Sequence, residues 1–365
     1  LDFGHVSQKL KSLGQRLFRR CAGFSFLMVM SLAAEQTQAR PYYYPGVRYL
    51  SVAGSAMGGV TLPLSDEVGN ALFNNPAALA RNTKFKAEYV NLNLEANSNL
   101  LGNLGLETLK ATGLSGMVTT LNNNLNSAYG SGFTNVTALQ WGGFGVGLLY
   151  QRYGIASSNG TEIQYNALSQ FVPAAGYAVG LARGVVRLGY SIQWINQAYG
   201  SAVTPNTNTS AAFLSGLSEG RGLAHQASVN FVFPFTYIPT FSILARNIGG
   251  THFVGGSLFT GAQSSAGITP DEPMSVDLAF NYMVRFSGKV KSHFYLQYRD
   301  ATSAYNMPLL ERMSLGAEVG ISEAFLLRGG ANGLALSAGF AYRSKSSEIG
   351  ITWFNEANPL SNTGY

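Results

Sequence analysis

Charge is what this 365-residue chain has least of. Asp, Glu, Lys and Arg make up 12% of it, about half the ~25% usual in soluble domains. With 46% apolar residues beside so little charge, the chain is not intrinsically disordered, which needs the opposite balance. No Gly-X-Y period runs through its 43 glycines, so it is not a collagen-like rod. Beyond the first 39 residues no stretch approaches the ~20 apolar residues of a spanning helix. The sequence has no H-E-x-x-H, phosphate-binding loop or dinucleotide fingerprint. The Gly-rich stretches Gly142-Gly-Phe-Gly-Val-Gly and Gly329-Gly-Ala-Asn-Gly fall in strand context and read as strand or turn glycines.

Cysteine is nearly absent as well. The one cysteine, Cys21, follows Arg19-Arg20 and opens a short apolar run to Ala34. A basic region (Lys9, Lys11, Arg16, Arg19, Arg20), that run and the small residues after it have the layout of a secretory signal peptide over 1–39. Cleavage falls after Ala33 or after Ala39. Removing the leader removes Cys21, and with it any disulfide, zinc or thiol chemistry. It also takes five Lys/Arg and two acids, leaving 19 basic and 16 acidic residues, so the basic balance is no sign of nucleic-acid binding.

What remains is rich in Gly, Asn, Ser, Tyr and Phe, and from Lys84 onward it alternates. Val186, Leu188, Tyr190, Ile192 and Trp194 are interleaved with Arg187, Gly189, Ser191 and Gln193. The same period of two recurs over 275–285, 289–299, 312–321 and 348–353. Thirteen segments read as strands: 84–96, 134–142, 143–156, 160–182, 185–199, 222–234, 238–250, 272–286, 289–301, 309–321, 324–331, 334–343 and 347–355. Several reach the ~9–11 residues that cross a bilayer when tilted. Tight links (Gly142-Gly143, Arg183-Gly184, Ser287-Gly288, Ser322-Glu323, 344–346) alternate with long polar loops at 97–133, 200–221 and 252–271. Such asymmetry belongs to outer-membrane barrels. The expected fold is therefore all-β: a transmembrane antiparallel β-barrel over 84–365. Bacterial barrels have even strand counts, so about fourteen strands (12–14) are expected. Either 160–182 is two strands, or a flanking segment completes the wall.

Residues 40–83 neither alternate nor form a strong amphipathic helix, and read as a compact plug. Here Arg48-Tyr-Leu-Ser-Val-Ala-Gly-Ser-Ala-Met-Gly-Gly-Val, Leu64-Ser-Asp-Glu and Ala71-Leu-Phe-Asn-Asn-Pro-Ala-Ala-Leu-Ala resemble the N-terminal region of the FadL/PorV-type outer-membrane barrels. Ala245-Arg-Asn-Ile-Gly, Leu315-Gly-Ala-Glu and Leu327-Arg-Gly-Gly resemble later pieces of the PorV-like branch. The resemblance implies fourteen strands around an N-terminal luminal hatch. One branch passes hydrophobic molecules across the outer membrane, and the other serves secretion or assembly.

Two sets of residues are singled out. Met57, Gly58, Gly59, Asn75, Pro76 and Ala77 mark the hatch, either as a kink that opens a path or as a fixed turn that fills the lumen. Arg187, Asp277, Lys289, Lys291, Arg299, Glu318 and Arg328 lie opposite apolar residues on their strands. A Lys or Arg at mid-bilayer on the lipid face costs ~2–4 kcal/mol, so these face the lumen. There they either tune solutes and contact the plug or form a stiffening ion network, and Lys289 and Lys291 could instead snorkel to the interface. Apolar residues at 100–125, 213–217 and 253–259 give the outer loops a catchment or a docking surface. His225, His252 and His293 are scattered and lack the nucleophile–base spacing of catalysis. No catalytic residue, cofactor or metal is expected. The expected role is passive transport of hydrophobic, fatty-acid-like molecules across the outer membrane of a Gram-negative bacterium. The expected partners are membrane lipids, the solute and the outer-membrane assembly machinery, not nucleic acid. The alternative is a structural barrel that docks a partner protein or copies of itself.

Overall fold

The computed structural model describes residues 47–64, 67–82, 84–96, 121–205, 217–259, 267–285, 290–305, 307–321, 324–344 and 347–354. The leader at 1–39, Lys289 and most of the loop 97–133 lie outside them. Fourteen antiparallel strands form one sheet: β1 Lys86–Ala96, β2 Tyr129–Trp141, β3 Phe144–Ser158, β4 Glu162–Leu181, β5 Val186–Pro205, β6 Ser218–Val232, β7 Thr240–Arg246, β8 Val254–Gly255, β9 Ser275–Arg285, β10 Val290–Tyr298, β11 Met313–Ile321, β12 Phe325–Asn332, β13 Ala335–Arg343 and β14 Glu348–Phe354. Thirteen follow one another around the wall in sequence order, β7 pairing with β9 past β8, while β8 pairs only with β6. The segment 160–182 is a single 20-residue strand rather than two. Both β1 and β14 rise from the short-turn end, so they run parallel, and among the described residues no ladder joins them.

The period of two explains the wall. On β5, Leu188, Tyr190 and Trp194 are 39–54% exposed while Ser191 and Gln193 are buried. The same outward set continues through Phe280, Leu296, Leu315, Leu327, Phe340, Ile349 and Ile351, all exposed. An exposed apolar band this extensive fits lipid and not water. Trp141, Tyr177, Phe233, Phe235, Tyr237, Phe325 and Tyr342 stand near the short turns as an aromatic girdle, the interfacial position that such rings prefer. Among the described residues no helix is long and apolar enough to cross a membrane; this barrel crosses with strands. At 20 residues each, β4 and β5 are about twice the crossing length and project past the band at the long-loop end.

Residues 47–64 and 67–82 sit inside the wall as two short helices, α1 Val52–Ala56 and α2 Val68–Asn74, and a 3-10 turn at Pro76–Arg81. The irregular segment expected from the sequence thus has helical pieces, each too short to show a period. Ser51 caps α1, its Oγ accepting from the Gly54 N–H at 3.1 Å. Helix α2 is capped from the wall instead: Glu88 of β1 accepts from the N–H groups of Val68 (2.6 Å) and Gly69 (2.9 Å). A carboxylate there satisfies orphan donors and complements the helix dipole. Pro76 opens the 3-10 turn, where its missing N–H is not needed.

Candidate functional site

The plug meets the wall backbone to backbone. Gly58 has φ +67°, and a Cβ there would lie 2.4 Å from the Ala331 carbonyl oxygen of β12. A Cβ on Gly330 would lie 2.2 Å from the Met57 carbonyl carbon. Gly58 N–H donates to Ser337 Oγ at 2.7 Å, and that hydroxyl donates on to the Ala56 carbonyl at 2.9 Å. Arg299 donates to the Gly59 carbonyl, and Met57 is fully buried. Filling one side of this contact forces a shift, and overpacking of this kind costs ~1–3 kcal/mol. Gly330→Ala should therefore loosen the plug: protease cleavage within 47–82 should accelerate while the folded barrel keeps its gel mobility. Cleavage at the wild-type rate would show that the contact does not hold the plug.

Lower down, Asn75, Pro76 and Ala77 are seated on β5 and β6. Ala77 N–H donates to Ser228 Oγ (2.7 Å), which donates to Asn75 Oδ1 (3.0 Å). A Cβ on Gly189 would lie 2.1 Å from Ala77 N. Glutamines receive the rest of the plug. Gln226 and Ser191 donate to the Leu72 carbonyl (3.0 and 3.1 Å), and Gln140 to that of Leu79 (2.6 Å). Gln297 Oε1 accepts from Thr61 and Leu62 N–H at 2.8 and 3.0 Å. Toward the long loops Gln151, Gln170 and Gln197 form an amide ladder across β3, β4 and β5. This side of the lumen is lined mainly by amides, with the Glu95 carboxylate beside them accepting from Asn93 Nδ2 (2.7 Å) and the Tyr153 hydroxyl (3.5 Å).

Charge is concentrated in two places. At the long-loop end Arg48 of the plug makes a buried two-point contact with Glu272, Nη1 to Oε1 at 2.7 Å. Beside it Arg246 pairs with Asp277 at 2.8 Å and reaches Asn74 Oδ1 at 3.3 Å. At the short-turn end Arg328 joins Glu318 (2.8 Å) and Glu348 (2.6 Å), and Arg343 joins Glu348 (2.8 Å).

Between plug and short turns lies a cavity of about 290 Å³. Its plug side carries Leu64, Glu67, Asn75 and Arg81, and its wall side includes Arg187, Asn230, Val232, Met283, His293, Glu318 and Arg328. Burial, then the neighbouring Glu88 and Glu348 carboxylates, push the Glu67 carboxyl up to about 7. Its neighbour Tyr49, whose hydroxyl approaches Glu67 at 3.3 Å, is also pushed up by burial. At the other end, inside the projecting strands, Leu121, Ile163, Tyr165, Ala198 and Leu217 close into an apolar cluster with Phe259 against it.

The structure brings Met57, Gly58, Gly59, Asn75, Pro76 and Ala77 to plug–wall contacts. Arg187, Glu318 and Arg328 line the cavity, Arg299 holds the plug, and Asp277 holds Arg246. Lys291 shares the face of His293, Tyr295 and Gln297 on β10. His225 bonds Tyr190 (2.5 Å) and His252 bonds Asp271 (2.6 Å), two separate pairs. Sequence reasoning missed Arg48, Glu272, Arg246, Glu67 and the glutamines. Arg246 lay inside the quoted Ala245-Arg-Asn-Ile-Gly motif, the one signal that could have found it. Among the described residues no three His, Cys, Asp or Glu side chains gather as a metal would require.

No family model matches the sequence, and no curated protein does. Among solved structures the chain is similar to the CymD monoaromatic hydrocarbon channel, with 11% identity and a TM-score of 0.47 over 85% of this chain and 94% of that one. It is also similar to CdiB from Acinetobacter baumannii, with 10% identity and a TM-score of 0.31 over 63% of this chain and 52% of that one. Likenesses this distant leave the geometry of plug, cavity and mouth to carry any functional reading.

Proposed function

We propose that the chain is an outer-membrane channel for hydrophobic small molecules, closed at rest by its N-terminal plug. The carrying observation is that the lumen is furnished on both sides of the plug. An apolar cluster stands at the long-loop mouth, a neutral amide ladder lies below it, and a cavity opens beneath the plug. A solute leaving lipid or lipopolysaccharide would meet apolar side chains first and then amides, with Glu95 held by Asn93 and Tyr153 beside them. Passage then needs the plug to shift, with no energy source beyond the gradient.

A second reading is favoured by a different observation. The buried Arg48–Glu272 pair and the Met57–Gly330 contact seal the plug, which suits a barrel that acts by docking proteins. Proteoliposomes separate the two. On the channel reading, entry of a neutral hydrocarbon such as toluene into loaded vesicles should exceed that of empty-barrel controls and rise in Gly330→Ala. Identical entry in all three, together with a defined oligomer or co-purifying protein by native mass spectrometry, would replace it with the docking reading.

A further inference from the structure

The charges around the cavity are unevenly matched. Arg328 and Arg343 each have a carboxylate partner, and Glu318 is committed to Arg328. Arg187 stands apart: among the described residues no carboxylate pairs with it, and the charged group that acts on it is another cation, Arg81. Its Nε is buried and has no hydrogen-bond acceptor. Directly across the β5–β6 ladder from it is Asn230, 3% exposed, whose Oδ1 is also buried without a partner. Both side chains line the cavity. A half-buried guanidinium beside a second cation is costly unless an anion compensates it, and a planar guanidinium suits an oxyanion.

We propose that this end of the lumen binds a small organic anion, its charged oxygens on the Arg187 guanidinium and its apolar part along Val232, Ile238 and Met283. This deepens the channel reading by naming the solute class. Size narrows it further. A cavity of about 290 Å³ stands at the lower end of the ~300–1,000 Å³ of small-ligand sites. That suits a monoaromatic or medium-chain carboxylate. A neutral hydrocarbon of the same size would leave the half-buried Arg187 guanidinium without an anion.

The test is isothermal titration of the purified full chain in mild detergent with octanoate and benzoate, against octanol and benzyl alcohol. The acids should bind saturably and the alcohols far more weakly. Arg187→Gln should weaken octanoate by about tenfold or more. Arg183→Gln, which removes the same charge from the exposed turn, should leave it unchanged. In the wild type alone, binding should also weaken as chloride is raised. Alcohols binding as tightly as acids, salt-independent binding, or octanoate held equally well by Arg187→Gln would each overturn the proposal. Flux of octanoate and of a neutral solute, measured side by side in proteoliposomes, separates this from the channel reading. Anion binding without any flux defeats the channel and leaves the site, whereas flux without anion preference defeats the site and leaves the channel.

Discussion

Glu272→Ala is expected to release the plug. Arg48 and Glu272 side chains are 2% and 7% exposed, and Asn247 Nδ2 adds a hydrogen bond to the same carboxylate at 3.1 Å. Deleting one member of a buried pair leaves the other charge without compensation and typically costs ~3–5 kcal/mol. Because the pair joins plug to wall, that loss falls on seating and not on the strand ladders. Planar-bilayer recordings should show a large rise in open probability, with the barrel still heat-modifiable on gels. The double variant Arg48→Met with Glu272→Leu removes both charges and keeps volume, so it should close the channel again. A Glu272→Ala barrel as quiet as the wild type would mean that the pair does not hold the plug.

The wall was legible in the sequence for a simple reason. In a barrel each inward residue alternates with a lipid-facing one, so Leu188, Tyr190 and Trp194 declare the outer face without reference to any partner. The inward positions of Arg187, Asp277 and Glu318 follow from the same local count. What the period cannot encode is which inward groups meet. Arg48 and Glu272 are 224 positions apart, and their contact depends on how the plug threads the closed wall. The glutamines of the amide ladder carry no charge and so drew no attention, although Gln170 is fully buried. In the sequence Glu67 is one acid of Leu64-Ser-Asp-Glu, with nothing local to mark it from Asp66. Its position between Glu88 on β1 and Glu348 on β14 appears only once the two ends of the sheet are brought around the same plug. The two-residue β8 escaped for another reason: two residues show no alternation.

Acidity is expected to close the channel and alkali to loosen it, through Glu67. Inside the barrel Glu67 faces Tyr49 and Ser51 of the plug, Glu88 of β1, Arg328 of β12 and Glu348 of β14. Burial, then the two wall carboxylates, outweigh Arg328 and the Ser51 hydroxyl, and hold its carboxyl at about 7 against an ordinary 4.5. A released plug returns Glu67 to water and its ordinary value. The seated state therefore binds more proton between these two values, which makes seating strongest below about 4.5 and progressively weaker as pH rises toward 7. The full difference is about 3 kcal/mol, and above pH 7 it changes no further. Open probability or vesicle leak should thus climb between pH 5 and pH 7 and then level off. Glu67→Gln keeps the hydrogen-bonding shape without the ionisation, so it should hold the acid-side closure at every pH. Parallel pH profiles for the wild type and Glu67→Gln would assign the dependence to groups other than Glu67. A flat profile in both would mean that the plug stays seated whatever charge Glu67 carries.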